Sequence, residues 1–209
     1  MKISYAVTVC NEFVEIQRLI IFLLKNKRPQ DEIVVLVDMT KNEPTSELLG
    51  YLHKLSSNNK ITLVEDLFNG HFSDWKNMLT QSCKGEYIFQ IDADEIPSEY
   101  LIQNLPTILE HNSAVELYAV PRINTVDGLT DKHIQNWRWN VNENGWVNWP
   151  DFQTRIYKNL PEIKWKNKVH ERLEGHKQFA YLPMEEEWAL YHPKTIDRQE
   201  KQNAYYDTL

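Results

Sequence analysis

Near the middle of the chain stands a short apolar run that ends in acidic residues: Tyr87-Ile88-Phe89-Gln90-Ile91-Asp92-Ala93-Asp94-Glu95. An apolar run of this length, preceded by Gly85, is typical of a strand that is covered on both faces of a sheet. Side chains two positions apart on a strand lie on the same face, so Asp92 and Asp94 can address one ligand. The run therefore predicts a buried strand with a polar site at its carboxyl end.

The same kind of strand recurs earlier in the chain, and the segments between the strands have helical periodicity. Strands are predicted over residues 3–10, 32–38 and 61–64, with helices over residues 16–24, 48–55 and 73–82. This alternation predicts an α/β fold with a mostly parallel, Rossmann-like central sheet and helices on both faces. Ligands of such sheets bind beyond the carboxyl ends of the strands.

The residues after Glu95 give a weaker pattern. A helix is predicted from Ser98 to about His111, and a fifth strand over residues 115–122. Residues 123–192 are rich in Trp, Asn and Pro, and we expect them to form extended segments and loops laid across the edge of the sheet. Nothing in the pattern indicates a repeat or a linker, so one domain is predicted over residues 1–209.

Composition excludes several classes of function. The chain has 209 residues with 23 basic and 30 acidic side chains, a net charge of −7, which argues against a nucleic-acid partner. The longest apolar run, residues 19–24, is far shorter than the roughly 20 residues that span a bilayer, so no transmembrane segment is predicted. We expect a cytoplasmic protein, with a peripheral position at the cytoplasmic membrane face left open. The sequence predicts no oligomeric state.

The paired carboxylates suggest a metal site. Two neighbouring carboxylates repel each other, and a bound cation is the usual compensation. Oxygen ligands suit Mg²⁺ or Mn²⁺, which complete their coordination with water and substrate phosphate, such as that of a nucleoside diphosphate. The alternative interpretation is a solvated acidic turn before the helix that begins at Ser98.

Several segments together resemble a family 2 glycosyltransferase of the GT-A fold, and most closely the branch similar to lipopolysaccharide core β-glucosyltransferases. In chain order the segments are Val7-Thr8-Val9-Cys10-Asn11-Glu12, Asp31-Glu32-Ile33-Val34-Val35-Leu36-Val37-Asp38, Phe72-Ser73-Asp74-Trp75-Lys76-Asn77, Ile91-Asp92-Ala93-Asp94-Glu95, Pro150-Asp151-Phe152-Gln153-Thr154-Arg155-Ile156-Tyr157 and Val169-His170-Glu171. The resemblance implies a nucleotide-sugar-binding half over residues 1–97 and an aromatic-rich, acceptor-binding half over residues 98–209.

The resemblance also implies which residues form the site. Asp94 and His192 would hold Mn²⁺ or Mg²⁺, and Asp92 would contact the ribose or the diphosphate. Arg155 would bind either a phosphate oxygen or an acidic neighbour. The remaining residues implied in donor binding are Thr8, Val9, Asn11, Glu12, Asp38, Lys76, Asn77 and Ala93.

The implied reaction moves one sugar from a nucleoside-diphosphate sugar, with a UDP-sugar favoured, to a hydroxyl of a glycan or glycolipid acceptor. Transfer with inversion needs one general base, and our first candidate is Glu171 and the second Asp151. The alternative for Glu171 is a surface ion pair with Arg172 or Lys168. The aromatic faces of Trp137, Trp139, Trp146, Trp149 and Trp165 either contact sugar rings or fill the core.

Other functions remain open at the level of sequence. A phosphatase of the haloacid dehalogenase class also places Asp-x-Asp after an apolar strand, with Asp92 as the nucleophile. A sugar-nucleotide pyrophosphorylase would need a Gly-rich N-terminal loop, and no Gly occurs before Gly50. A non-catalytic sugar-binding module could also use exposed Trp, but such modules are usually all-β.

Overall fold

The computed structural model describes residues 1–40 and 44–206. The helices are α1 (Phe13–Asn26), α2 (Ser46–Ser57), α3 (Phe72–Gln81), α4 (Glu99–His111), α5 (Asp131–Trp137) and α6 (Ile196–Tyr206). The strands are β1 (Ile3–Val9), β2 (Glu32–Asp38), β3 (Thr62–Asp66), β4 (Tyr87–Asp92), β5 (Ile96–Pro97), β6 (Leu117–Asp127), β7 (Val147–Lys158), β8 (Lys164–Lys166), β9 (Arg172–Glu174), β10 (Phe179–Tyr181) and β11 (Leu190–Thr195).

One large sheet runs through the molecule in the order β3-β2-β1-β4-β7-β6-β11-β5, with β10 paired to β6. Strands β1 to β4 pair in parallel, as predicted from the alternation of strands and helices. Strand β7 is antiparallel to both β4 and β6, whereas β11 runs parallel to β6. The sheet is therefore mixed and continuous from the first part of the chain into the second.

Helices cover both faces of the sheet because the buried strands are apolar on both sides. Ile3, Tyr5 and Val7 of β1 face the core formed with α1, α2 and α4. Ala6 belongs to the opposite core, which α3 and the β8–β9 pair cover. The strands between these layers are sequestered from water, which explains their near-continuous apolar sequences.

Residues 123–192 do form extended segments and loops, but the expectation that these lie across the edge of the sheet was wrong. These residues supply about half of β6, all of β7 and the first half of β11, and the three strands lie inside the large sheet instead of across its edge. The two strands β6 and β7 pair over most of their lengths, but their register shifts at two places, which breaks the regular alternation that marks a strand in a sequence. No helix among residues 1–40 and 44–206 is long and apolar enough to cross a membrane.

Candidate active site

A pocket of about 870 Å³ opens beyond the carboxyl ends of β1, β2 and β4, and residues from both parts of the chain line it. Most of the residues predicted for the site lie on its wall: Thr8, Val9, Glu12, Asp38, Lys76, Asp92, Ala93, Asp94, Arg155, Glu171 and His192. Asn11, Asn77 and Asp151 are not among the lining residues. The structure thus brings together residues up to 184 positions apart (His192 minus Thr8).

Two carboxylates hold the loops at one end of the pocket. Glu12 Oε2 accepts hydrogen bonds from the backbone N–H groups of Cys10 and Asn11, at 2.9 and 3.1 Å. Asp38 Oδ1 accepts from the N–H groups of Thr40 and Phe68, at 2.7 and 3.2 Å. These bonds fix the two strand ends and leave an aromatic wall, which Phe68, Phe72 and Trp75 form, along that side of the pocket.

Alternating acidic and basic side chains form the floor of the pocket. Arg155 Nη2 donates to Asp92 Oδ2 at 2.5 Å and to Glu95 Oε1 at 2.6 Å, and Arg122 Nη1 donates to Glu95 Oε1 at 2.9 Å. Glu95 is fully buried and Arg155 is nearly so. Arg155 therefore binds acidic neighbours, and its Nε is buried without a hydrogen-bond partner among the described residues.

These cations determine the protonation state of Asp92. Burial raises the pKa of the Asp92 carboxyl, but the nearby cations, with Arg155 the strongest of them, together outweigh burial and hold the pKa far below its usual range. The charges of Lys76 and Arg122 act in the same direction. Asp92 is consequently an ionised acceptor of hydrogen bonds, not a proton donor, at neutral pH.

Asp94 and His192 meet on the opposite side of the floor, with 3.3 Å between Asp94 Oδ2 and His192 Nε2. Asn124 fixes the ring, because its amide nitrogen donates to Asp151 and its Oδ1 therefore faces His192 Nδ1, at 2.7 Å. With a proton on Nδ1, Nε2 presents a lone pair to the carboxylate, and the contact is favourable only with a proton or a cation between them. This arrangement is the one that metal-binding histidines adopt.

The pair fits a hard divalent ion that takes its other ligands from water and substrate. No group of three or more His, Cys, Asp and Glu side chains suited to a metal occurs in the part of the chain that the structure describes. Asp94 Oδ2 also lies 3.2 Å from Arg198 Nη2. Burial raises the pKa of Asp94, but the hydrogen bond and charge of His192, with the charge of Arg198, hold it below its usual value.

Glu171 faces the pocket from the segment between β8 and β9. Its Oε1 accepts a short hydrogen bond from Lys76 Nζ, and the ammonium group also lies 4.5 Å from the centre of the Trp165 ring. Neither Arg172 nor Lys168 pairs with Glu171, so the alternative of a surface ion pair with these residues is wrong. Only 16% of the Glu171 side chain is exposed, so the carboxylate is largely shielded from bulk solvent and faces the pocket.

Asp151 is surrounded by donors. Arg122 donates to it through Nε and Nη2, at 2.9 and 2.6 Å, and Asn124 and Gln153 donate to it at 2.8 and 2.6 Å. Burial raises the pKa of Asp151, but the charge of Arg122 and these hydrogen bonds outweigh burial and hold it below its usual value. Both carboxylate oxygens are thus already occupied.

Sequence reasoning missed several residues of the pocket. Arg122, Gln153, Lys194, Arg198 and Lys201 line it, and Glu95 joins the two arginines beneath it. Arg122 closes the predicted strand 115–122, a position that could have drawn attention by analogy with Asp38 and Asp92. Arg198 comes shortly after His192 in the chain, but nothing in the polar sequence of α6 distinguishes it from the other charged residues of that helix.

Of the five tryptophans considered for sugar contacts, Trp165 is buried, whereas Trp137, Trp139, Trp146 and Trp149 are half-buried. Trp165 is buried and lines the pocket, and Trp139 lines a smaller cavity of about 200 Å³ that adjoins it. Trp137 packs on Trp139, and Trp146 packs on Trp149, with ring centres 4.7 and 5.0 Å apart. The pairing of rings explains how a segment with little regular structure holds together.

Comparison with known proteins decides the family. The model of the family described as Glycosyl transferase family 2 matches residues 4–176. The chain belongs to glycosyl transferase family 2. Among curated proteins none matches the chain significantly.

The family 2 chain shares its fold with solved structures of S. aureus TarS. It is 16% identical to S. aureus TarS 1-349 in complex with UDP-GlcNAc, with a TM-score of 0.64 over 93% of this chain and 59% of that one. The complex of TarS 1-349 with UDP gives 17% identity and a TM-score of 0.63 over 92% and 60%, and TarS itself gives 16% and 0.63 over 92% and 37%. The family 2 chain therefore spans between 37% and 60% of the length of these structures.

These findings confirm the GT-A fold and the family that the sequence resembles. They favour a glycosyltransferase over the phosphatase, pyrophosphorylase and sugar-binding alternatives, because the family match includes the strand ends that form the pocket. The likeness to TarS, at this identity, bears on the fold of the family 2 chain only.

Proposed function

We propose that the protein is a metal-dependent, inverting glycosyltransferase that moves one sugar from a nucleoside-diphosphate sugar, with a UDP-sugar favoured, to a hydroxyl of a glycan or glycolipid. One observation carries the proposal: in a family 2 chain, the Asp94–His192 pair and the Glu171 carboxylate face the same pocket. The first can hold a metal and the second can accept a proton, and inverting transfer needs these two capacities.

The donor nucleotide would occupy the end of the pocket near β1 and β2. The loop over residues 8–12 and Asp38 present backbone and carboxylate groups there, and Phe68 and Trp75 offer aromatic faces to a base. Asp92, held ionised by Arg155, would accept hydrogen bonds from ribose hydroxyls. We also propose that the donor nucleotide is preferably uridine diphosphate and that Asn11 and Ala93 contact the donor.

Asp94 and His192 would hold Mn²⁺ or Mg²⁺. A divalent ion bound there supplies positive charge that stabilises the departing diphosphate. Arg198 and Lys194 lie on the same wall, so their side chains add cationic charge next to the phosphates. An acidic protein thereby obtains a local positive field for an anionic substrate.

Glu171 is the better candidate for the general base. Lys76 binds one of its oxygens and orients the carboxylate toward the pocket, where an acceptor hydroxyl can reach it. Asp151 accepts hydrogen bonds on both oxygens and does not line the pocket. A carboxylate already saturated with donors has little capacity to take a proton from a substrate.

The proposal also includes a cytoplasmic location and leaves open a peripheral position at the cytoplasmic membrane face.

Thermal unfolding tests donor binding directly. We expect UDP with Mn²⁺ to raise the melting temperature, and EDTA to remove the rise, because a ligand that binds only the folded state stabilises it. Asp94→Asn should lose the metal-dependent rise, whereas the control Asp127→Asn, at an exposed position at the end of β6, should keep it. If UDP, GDP and dTDP all leave the melting temperature of the wild-type protein unchanged with metal present, the proposal fails.

A further inference from the structure

The antiparallel hairpin of β8 and β9 borders the pocket. Its connecting segment contributes Val169, His170 and Glu171 to the pocket wall. An acceptor whose hydroxyl reaches Glu171 therefore lies next to this hairpin. The chemistry of its outward face then bears on which acceptors can bind.

The inward face of the hairpin is firmly attached. Trp165 and Leu173 are 3% and 5% exposed and belong to the core beneath α3. Asn77 of α3 binds the hairpin backbone twice, donating to the carbonyl of Trp165 and accepting from its N–H, each at 2.9 Å. Asn77, which the resemblance placed in the donor site, thus anchors a rigid platform beside the pocket.

The outward face is cationic. Lys166 lies directly opposite Arg172 in the register of the hairpin, and both side chains are exposed. Lys168, in the connecting segment, is exposed as well. The neighbouring register pair, Lys164 opposite Glu174, is complementary.

Like charges directly opposite each other destabilise a hairpin, so the Lys166–Arg172 arrangement opposes folding of the free protein. Within the described residues, no acidic side chain lies within ion-pair distance of Lys166, Lys168 or Arg172, although the chain as a whole is acidic. A bound anion would relieve this repulsion.

We propose that Lys166, Lys168 and Arg172 form a subsite for phosphate or carboxylate groups of an anionic glycan acceptor. This assignment rests on the proposed function, since it places the acceptor next to Glu171. An anionic membrane surface fits less well, because the large exposed apolar side chains that would enter a bilayer lie elsewhere, as Phe179, Tyr181 and Met184 do, and none is on the hairpin.

The test compares two triple variants that change net charge equally. The first is Lys166→Gln, Lys168→Gln and Arg172→Gln. The control is Lys54→Gln, Lys60→Gln and Lys84→Gln, whose exposed side chains lie near the amino ends of β3 and β4, whereas the pocket lies beyond the carboxyl ends of the strands. Fluorescence anisotropy measures the binding of labelled dextran phosphate, neutral dextran of the same length and phosphatidylglycerol vesicles.

We expect the hairpin triple to bind dextran phosphate about tenfold or more weakly than the wild type, with the control triple near the wild-type value. Neutral dextran should not distinguish the three proteins, and added salt should weaken only the hairpin-dependent binding. The melting temperature of the hairpin triple should stay the same or rise, because the repulsion is removed.

Two results would overturn the subsite: equal weakening in both triples, or hairpin-dependent binding of the vesicles but not of dextran phosphate. The UDP and Mn²⁺ thermal shift separates this outcome from a failure of the proposed function. A hairpin triple that keeps the shift but loses dextran phosphate binding supports the subsite. Absence of the shift in the wild type rejects the transferase, whatever the polyanion data show.

Discussion

The parts of the chain before and after residue 97 contribute to the site in opposite ways. The first part alternates strands and helices regularly, and its strand ends bring the carboxylates Glu12, Asp38, Asp92 and Asp94 to the pocket. The second part contains the β6–β7 pair, whose register shifts twice, and it brings most of the cations, Arg122, Arg155, Lys194 and Arg198. Two residues are exceptions: the cation Lys76 comes from the first part, and the carboxylate Glu171 comes from the second.

The principal ion pairs of the site join the two parts. Asp92 binds Arg155, Asp94 approaches His192, and Lys76 binds Glu171. Without the other part, each part would carry these charges without their partners. A buried charge without a partner raises the free energy of the folded state. The pocket is therefore a property of the two parts folded together, and it can be tested by removing one member of a pair at a time.

The largest expected effect follows from Glu171→Gln. Loss of the proposed base should lower transfer by about 10²- to 10⁴-fold while UDP and Mn²⁺ still raise the melting temperature. Release of UDP from a panel of UDP-sugars, with water or glycans as acceptors, measures the rate. Glu174→Gln, an exposed neighbour on the same hairpin, serves as the control. Unchanged turnover in Glu171→Gln, with a loss in Asp151→Asn, would move the base to Asp151.

Arg155→Met should destabilise the fold by about 3–5 kcal/mol, because it leaves Glu95 buried without one of its cations. Urea denaturation measures the free energy of unfolding. The control Arg18→Met removes an exposed arginine on α1 and should stay within about 0.5 kcal/mol of the wild type. If both variants lose the same free energy of unfolding, the ion pairs of Arg155 do not stabilise the fold more than an exposed arginine does.

A smaller effect is expected from Asn124→Leu. Asn124 orients His192 without facing the proposed metal, so its loss should weaken metal affinity by about 10- to 100-fold. Titration of Mn²⁺ against the UDP-dependent thermal shift gives the affinity. Gln103→Leu, which removes an exposed amide from α4, should leave it unchanged. If the two variants titrate alike, His192 is not held in place by Asn124.

The smallest effect concerns Glu32, whose contacts all lie within the first part of the chain. Burial raises the pKa of Glu32, but hydrogen bonds from Lys2, Ser4 and the Lys84 N–H outweigh burial and lower it. Its contribution to stability is then present above the unfolded pKa of about 4.3 and is lost as the pH falls through the lower folded pKa.

Glu32→Gln should accordingly cost about 1 kcal/mol or less at neutral pH, given solvent screening, and this cost should shrink on acidification. Urea denaturation between about pH 7 and pH 3 measures the difference between the variant and the wild type. A difference that stays constant over this range would show that the Glu32 hydrogen bonds do not depend on its charge.

Within the first part, the sequence predicted the positions of residues at strand ends better than those of residues on helices. Thr8, Asp38, Asp92 and Asp94 could be placed at one pocket because each lies at or just beyond the end of an apolar strand, and parallel strands end at the same edge. Lys76 and Asn77 are neighbours on one helix, so their side chains point in different directions. Only Lys76 reaches the pocket, and the sequence offers no means of choosing between them.

Local sequence determined the alternation of strands and helices, the burial of the strands and the carboxylates at their ends, because these depend on periodicity and on residues adjacent in the chain. Tertiary structure alone decided that β6, β7 and β11 complete the sheet, that Arg155 and Arg122 share Glu95, and that Glu171 meets Lys76. Those contacts join residues tens of positions apart, and charge pairing over such separations leaves no periodic trace in a single sequence.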